Sequence, residues 1–220
     1  MAKREPISLA MNTRVLFVSM GNICRSPMAE GVFRHLIRQA GLDDVVKVES
    51  AGTHAFHAGE SPDKRAITST HKRGFDISDL RASAVKEKNF EDYDLILAMD
   101  WDNLSMLQQS APKRIHHKIQ LLMRFATEHE TATIPDPYYG NTQGFEQVLD
   151  YIEDACNGLL EVAKRRATQV AAAGACFDRL AGASSMRSPV GGLQLHRFCL
   201  GQKPFPLCGF STKIVEYYVQ

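Results

Sequence analysis

Two rhythms of polar and apolar positions alternate over the first three quarters of the chain. Residues 15–18 (VLFV) and 95–99 (LILAM) are short runs without a polar position, and 119–123 (IQLLM) is nearly so. Runs of this length that are apolar on both faces predict strands buried on both sides. Residues 45–49 (VVKVE) predict a further strand. Between these runs the period changes to that of a helix. Over residues 26–41, Met28, Val32, Phe33, Leu36, Ile37 and Ala40 fall on one face, Pro27 sits in the first turn and Gly41 follows as a C-cap. A helix over 62–73 is opened by Ser61 and Pro62 and closed by Gly74, and a short one follows Asp102. The last strong helix covers 145–163, with Phe145, Val148, Leu149, Ile152, Cys156, Leu159 and Leu160 on its buried side.

Strands alternating with helices predict an α/β fold: a four-stranded parallel sheet with helices on both faces. In such sheets ligands bind beyond the carboxyl ends of the strands. The pattern stops after Arg166. Residues 167–220 hold six glycines, three prolines and two acidic residues, without a sustained period. The expected organisation is an extension at 1–12, a domain at 13–166 and an appended C-terminal tail at 167–220, weakly folded or disordered.

Composition changes this picture little. Hydrophobic residues make up 44% of the 220 and charged residues 23%, the balance of an ordinary globular chain. A net charge of +1 gives no reason to expect nucleic acid or an anionic membrane as partner. No apolar run approaches the ~20 residues of a membrane span. The basic start MAKREPISLAMNT lacks the apolar stretch of a signal peptide, so the expected setting is cytoplasmic. The five cysteines (Cys24, Cys156, Cys176, Cys199, Cys208) form no CxxC pair, which argues against a disulfide framework or a zinc site.

The chemistry is concentrated where the first strand ends. Residues 19–26, SMGNICRS, lead from that strand directly into a helix start. Such a turn gathers backbone N–H groups at the positive end of the helix dipole and makes an anion site. The Gly-Lys-Ser/Thr of a nucleotide-binding loop is missing. Arg25 stands there instead, and its planar fork grips two phosphate oxygens at once. Gly21 permits close backbone approach and Asn22 tolerates a left-handed conformation. Elsewhere Asp136 precedes Pro137, and His54 and His57 form a pair without carboxylate or cysteine partners, read as solvated rather than metal-binding.

The string VSMGNICRSP at 18–27 resembles the loop of the low-molecular-weight protein-tyrosine phosphatases, typically VCxGNICRSP. The motifs SAGT at 50–53, MD at 99–100 and DPYYG at 136–140 follow in that family's order, and the resemblance covers residues 12–166. It implies roles residue by residue. Position 19 is the nucleophile. The N–H groups of Met20, Gly21, Asn22, Ile23, Cys24 and Arg25, with the Arg25 side chain, hold the phosphoryl oxygens. Ser26 bonds the nucleophile, and Asn22 braces the loop with Ser50. Asp136 protonates the tyrosyl oxygen and then activates water. Phe56, Tyr138 and Tyr139 wall the slot for the aromatic ring. The implied partners are phosphotyrosine-bearing proteins or small aryl phosphates, with no cofactor and no metal.

The chain departs from that pattern at its reacting atom, because residue 19 is serine. A cysteine beside an arginine at a helix start ionises at neutral pH, whereas a serine hydroxyl needs an adjacent base. The expectation is an enzyme scaffold that binds phosphate monoesters and turns them over negligibly, as a substrate trap does. The alternative is a natural pseudophosphatase that reads phosphotyrosine without catalysis. With Ser19 in place, Cys24 loses the redox partner it has in the family and reads as a small buried residue. A phosphoarginine phosphatase is disfavoured by Ile23, where that activity goes with threonine. An arsenate reductase is disfavoured by the scarcity of core cysteines.

Overall fold

The computed structural model describes residues 13–183, with side chains to residue 168; the segment 1–12 and the tail beyond 183 lie outside the described residues. Four strands, β1 (Thr13–Ser19), β2 (Val46–Gly52), β3 (Leu95–Ala98) and β4 (Ile119–Leu121), form one sheet in the order β2-β1-β3-β4. All three pairings are parallel. Five helices accompany them: α1 (Arg25–Gln39), α2 (Lys64–Lys72), α3 (Asn89–Asp92), α4 (Trp101–Ser110) and α5 (Thr142–Ala183).

Period-2 alternation along the central strands sorts two cores. Val15 and Phe17 of β1, with Leu95 and Leu97 of β3, face Met28, Val32 and Phe33 of α1 and Phe145, Leu149 and Ile152 of α5. Leu16, Val18, Ile96 and Ala98 face the other way, against Phe90, Tyr93, Leu107 and Ile115. Each central strand is therefore covered on both sides, which is why its run carries no polar residue. Phe17 and Phe33 meet edge to face at 5.9 Å.

Two connections tie α5 to the rest of the fold, one of them too tight for a side chain. A Cβ on Gly158 of α5 would stand 1.9 Å from the Phe125 carbonyl oxygen. Arg73, at the end of α2, binds Glu146, Asp150 and Glu153 along one face of α5.

The expected elements are present with shifted ends. Asp63, not Ser61, caps α2, its carboxylate accepting from the Arg65 amide. Asp100 caps α4, which starts ahead of Asp102. β4 stops at Leu121, and residues 122–125 turn as a 3-10 helix. α3 is a single turn, too short to leave a period in the sequence. α5 runs well past 163, through the alanine-rich 167–183. Alanine has the highest helix propensity, so this stretch needs no apolar stripe to be helical. The expected boundary at 166 thus falls inside a helix.

The pairing register aligns the carboxyl ends of three strands. Ser19 lies opposite Gly52, and Val18 opposite Ala98. The ladder then continues through Met99, whose N–H donates to the Val18 carbonyl (3.1 Å) and whose carbonyl accepts from Ile134 (2.8 Å). Ile134 is fully buried and so fixes the segment leading to Asp136 above the end of β3.

Candidate active site

Residues 19–25 leave β1 and wrap around a cavity of about 310 Å³, which Phe56, His57, Asp136, Tyr138 and Tyr139 complete. The loop closes against the end of β2. Ser19 and Met20 accept from Thr53 and His54 through their carbonyls, at 2.8 and 3.0 Å. Gly52 permits this approach: a Cβ there would stand 2.8 Å from the Met20 carbonyl oxygen.

Asn22 shapes the loop from within. It has a positive φ of 55°, the left-handed region that asparagine tolerates. Its Nδ2 donates to Ser26 Oγ and to Ser50 Oγ, both at 2.9 Å, and its Oδ1 accepts from the Ser83 amide at 2.8 Å. Every hydrogen bond of that amide side chain is thereby directed, which offsets the strain of its backbone. Ser26 Oγ shares a further hydrogen bond with Ser19 Oγ at 2.7 Å. Ser19, Asn22, Arg25 and Ser26 are all buried.

Arg25 opens α1, a helix whose N-terminus has no side-chain cap and whose first turn has no acidic residue. Its first N–H groups and dipole thus favour an anion in the cavity. The guanidinium is held by three acceptors. Nη1 donates to Asp100 Oδ2 (2.5 Å) and to the Ile134 carbonyl (3.1 Å), and Nη2 donates to Asp136 Oδ2 (2.7 Å). Asp136 Oδ1 accepts from the Tyr138 amide at 3.1 Å.

Aromatic side chains make the rim. Phe56 is 72% exposed and Tyr139 96%, and Tyr138 is exposed to a lesser degree. Phe56 stacks on His54 at 4.9 Å, and the two tyrosines meet edge to face at 5.0 Å. Burial pushes the Cys24 thiol up to about 12, with the Asp63 and Asp136 carboxylates adding to the effect. It stays protonated at neutral pH, as an inert packing residue would.

The fold thus brings together Ser19, Met20, Gly21, Asn22, Ile23, Cys24, Arg25, Phe56, Asp136, Tyr138 and Tyr139 around one cavity, with Ser26 and Ser50 behind the loop. Sequence reasoning gave no role to Asp100 and no place to the Ser83 amide. The MD pair at 99–100 was the available signal for the first, and nothing in the sequence pointed to the second. His57, read as solvated, lines the cavity, and its Nδ1 pairs with Glu60 at 2.8 Å. Among the described residues no group of three or more His, Cys, Asp or Glu is placed to hold a metal ion, and no helix is long and apolar enough to cross a membrane.

A parallel α/β sheet that delivers a central strand into an uncapped helix start, with an arginine and a carboxylate lining the cavity, defines a protein with an anion-binding pocket at the carboxyl end of its sheet. Residues 14–170 match the family described as low molecular weight phosphotyrosine protein phosphatase, and the chain belongs to it. A putative low molecular weight protein-tyrosine-phosphatase of Synechocystis is 44% identical over 148 residues, 67% of this chain and 94% of the relative. The human low molecular weight phosphotyrosine protein phosphatase is 38% identical over 68% of this chain and 94% of its own. A crystal structure of the Entamoeba histolytica protein tyrosine phosphatase with Hepes in the active site superposes with a TM-score of 0.68 at 37% identity, covering 70% of this chain and 98% of that one. YfkJ from Bacillus subtilis gives 0.67 at 35% identity, over 70% and 96%.

Proposed function

We propose that the site is built to bind and hydrolyse the phosphate ester of tyrosine, on proteins or on small aryl phosphates, and that with Ser19 in place it binds such esters and turns them over negligibly. The Ser19–Ser26 contact carries the second half of this reading. The nucleophile's position shares its hydrogen bond with another hydroxyl, and a hydroxyl does not accept a proton from serine at neutral pH.

With a thiolate at residue 19 the remaining groups complete a reaction in two steps. Sulfur attacks phosphorus from the floor of the loop while the P–O bond to the ring breaks. Asp136, above the cavity, gives its proton to the departing phenolic oxygen. Water then attacks the S–P bond, Asp136 takes its proton, and phosphate leaves with the thiolate restored. Arg25 and the loop N–H groups stabilise the charge on the three equatorial oxygens throughout. Phe56, Tyr138 and Tyr139 accept a flat ring.

A phosphotyrosine reader without catalysis needs the loop and the aromatic rim but has no use for a carboxylate over the leaving oxygen. The position of Asp136 supports the phosphatase scaffold over that alternative. Hydrolysis of p-nitrophenyl phosphate by the Ser19 chain and by Ser19→Cys, both in chelator, tests the reading. The cysteine form is expected to be active and the serine form inert. Equal, high activity of the two would overturn the account of position 19, and inactivity of the cysteine form would favour the reader.

A further inference from the structure

We propose that Arg65 is a positioning residue for the loop that carries Asp136, and that with Asp63 it forms a strut between that loop and the phosphate loop. The proposal rests on the phosphatase reading for its catalytic consequence and on geometry alone for the strut. One end is fixed at the phosphate loop, where the Asp63 amide donates to the Ile23 carbonyl at 2.8 Å. The Asp63 carboxylate then takes Arg65 as a fork, Nε to Oδ1 at 3.0 Å and Nη2 to Oδ2 at 2.8 Å. The same carboxylate caps α2 through the Arg65 amide, so the fork is anchored to a helix end.

The other end reaches across to the second loop. Arg65 Nη1 donates to the Gly140 carbonyl at 3.2 Å. The guanidinium carbon lies 5.7 Å from the Tyr138 ring centre and 4.7 Å from that of Phe145, the first buried residue of α5. Three residues separate Asp136 from Gly140, and the turn between them is closed by the Gly140 amide on the Pro137 carbonyl (2.9 Å) and the Tyr138 amide on Asp136 Oδ1 (3.1 Å). Fixing Gly140 and the Tyr138 ring therefore fixes where the Asp136 carboxylate points. One planar cation meets a carboxylate, a carbonyl and two ring faces at once. Lysine, a point charge on a flexible stem, does not replace such a group.

Two measurements test this. Amide hydrogen exchange in the chain as it stands reads the strut without any turnover. Arg65→Ala is expected to speed exchange at Tyr138 and Gly140 by about tenfold, and Arg65→Lys by less, with the amides of β1 unchanged. In the Ser19→Cys background, Arg65→Ala is expected to lower kcat/KM for phenyl phosphate by about 10- to 100-fold and for p-nitrophenyl phosphate by much less. The dependence on leaving-group pKa steepens as it does in Asp136→Ala.

Unchanged exchange at Tyr138 and Gly140 overturns the strut. Faster exchange with an even loss across leaving groups overturns the positioning role and leaves a structural one. Faster exchange in a chain whose Ser19→Cys form is inactive sustains the strut while overturning the phosphatase reading. Arg65 is partly exposed, and Arg65→Lys keeps its charge, so a folded variant is at hand if the alanine form proves unstable.

Discussion

Arg25 Nη2 donates to Asp136 Oδ2 over 2.7 Å, so the proposed phosphate-binding cation and the proposed acid are direct partners. A phosphoryl oxygen needs the same donor, and a dianion entering the cavity is repelled by the carboxylate. Asp136→Ala is therefore expected to act in opposite directions on binding and on turnover. In the Ser19 chain it tightens a phosphotyrosine peptide by several-fold, on the order of 1 kcal/mol for one charged hydrogen bond exchanged. In the Ser19→Cys form it lowers turnover by about 10² to 10⁴. Calorimetric titration of the first and aryl phosphate kinetics of the second decide it. Weaker peptide binding in Asp136→Ala would refute the competition.

Arg25 itself tolerates no substitute. It is buried, and Asp100, Ile134 and Asp136 hold its plane in one orientation. Arg25→Ala is expected to abolish the difference in affinity between phosphorylated and unphosphorylated peptide. Arg25→Lys is expected to restore little, since an ammonium cannot span two acceptors in a plane. Removing the cation also leaves Asp100 and Asp136 close together without a partner. Both variants should melt at lower temperature, a change read in the same samples. Retained phosphopeptide selectivity in Arg25→Ala would move the binding site elsewhere.

Asp154 sets an acid limit on stability. It accepts from the backbone N–H groups of Thr127, Glu128 and His129 and from the His129 ring. Burial alone works to raise its pKa; the bonds from Thr127, His129 and Glu128 outweigh that and leave the carboxyl at about 2 against an ordinary 3.8. The folded form thus prefers the carboxylate. The contribution is complete above the unfolded value and fades as pH falls from 3.8 toward 2. Asp154→Asn is expected to cost about 2 kcal/mol at neutral pH and to flatten the loss of stability across that window. Urea unfolding at a series of pH values measures both, and parallel curves for the two proteins would acquit Asp154.

Gly158→Ala sets two effects of opposite sign against each other. In an open helix the change gains about 0.5–1 kcal/mol. Here the new methyl would lie 1.9 Å from a backbone oxygen of Phe125, which no rotamer relieves. Overpacking of this kind costs about 1–3 kcal/mol, so a net loss of stability is expected in thermal melts. A gain would show that the turn at 122–125 moves freely.

The sheet was legible because its central strands are covered on both faces and so carry runs without polar interruption. The loop at 19–26 was legible because its residue types suit a strand-to-helix anion site, whereas the DPYYG turn was legible only through its resemblance to the family's motif. Residues that act across the fold left no such trace. Asp100, Asp63 and Arg65 are single polar positions near helix starts, indistinguishable in sequence from ordinary caps. Asp154 falls on a helix among exposed carboxylates, and only the turn at 127–129 buries it. His57 reads as solvated because its place depends on a cavity that the distant loop at 19–25 builds.

Asn22 has one further consequence. Its partners, Ser26, Ser50 and the Ser83 amide, lie behind the loop, away from the ring slot. The curvature of the loop is thus written largely from behind. Ser26 touches both Asn22 and Ser19, so the residue that shapes the loop and the residue at the proposed reacting position are joined through one hydroxyl.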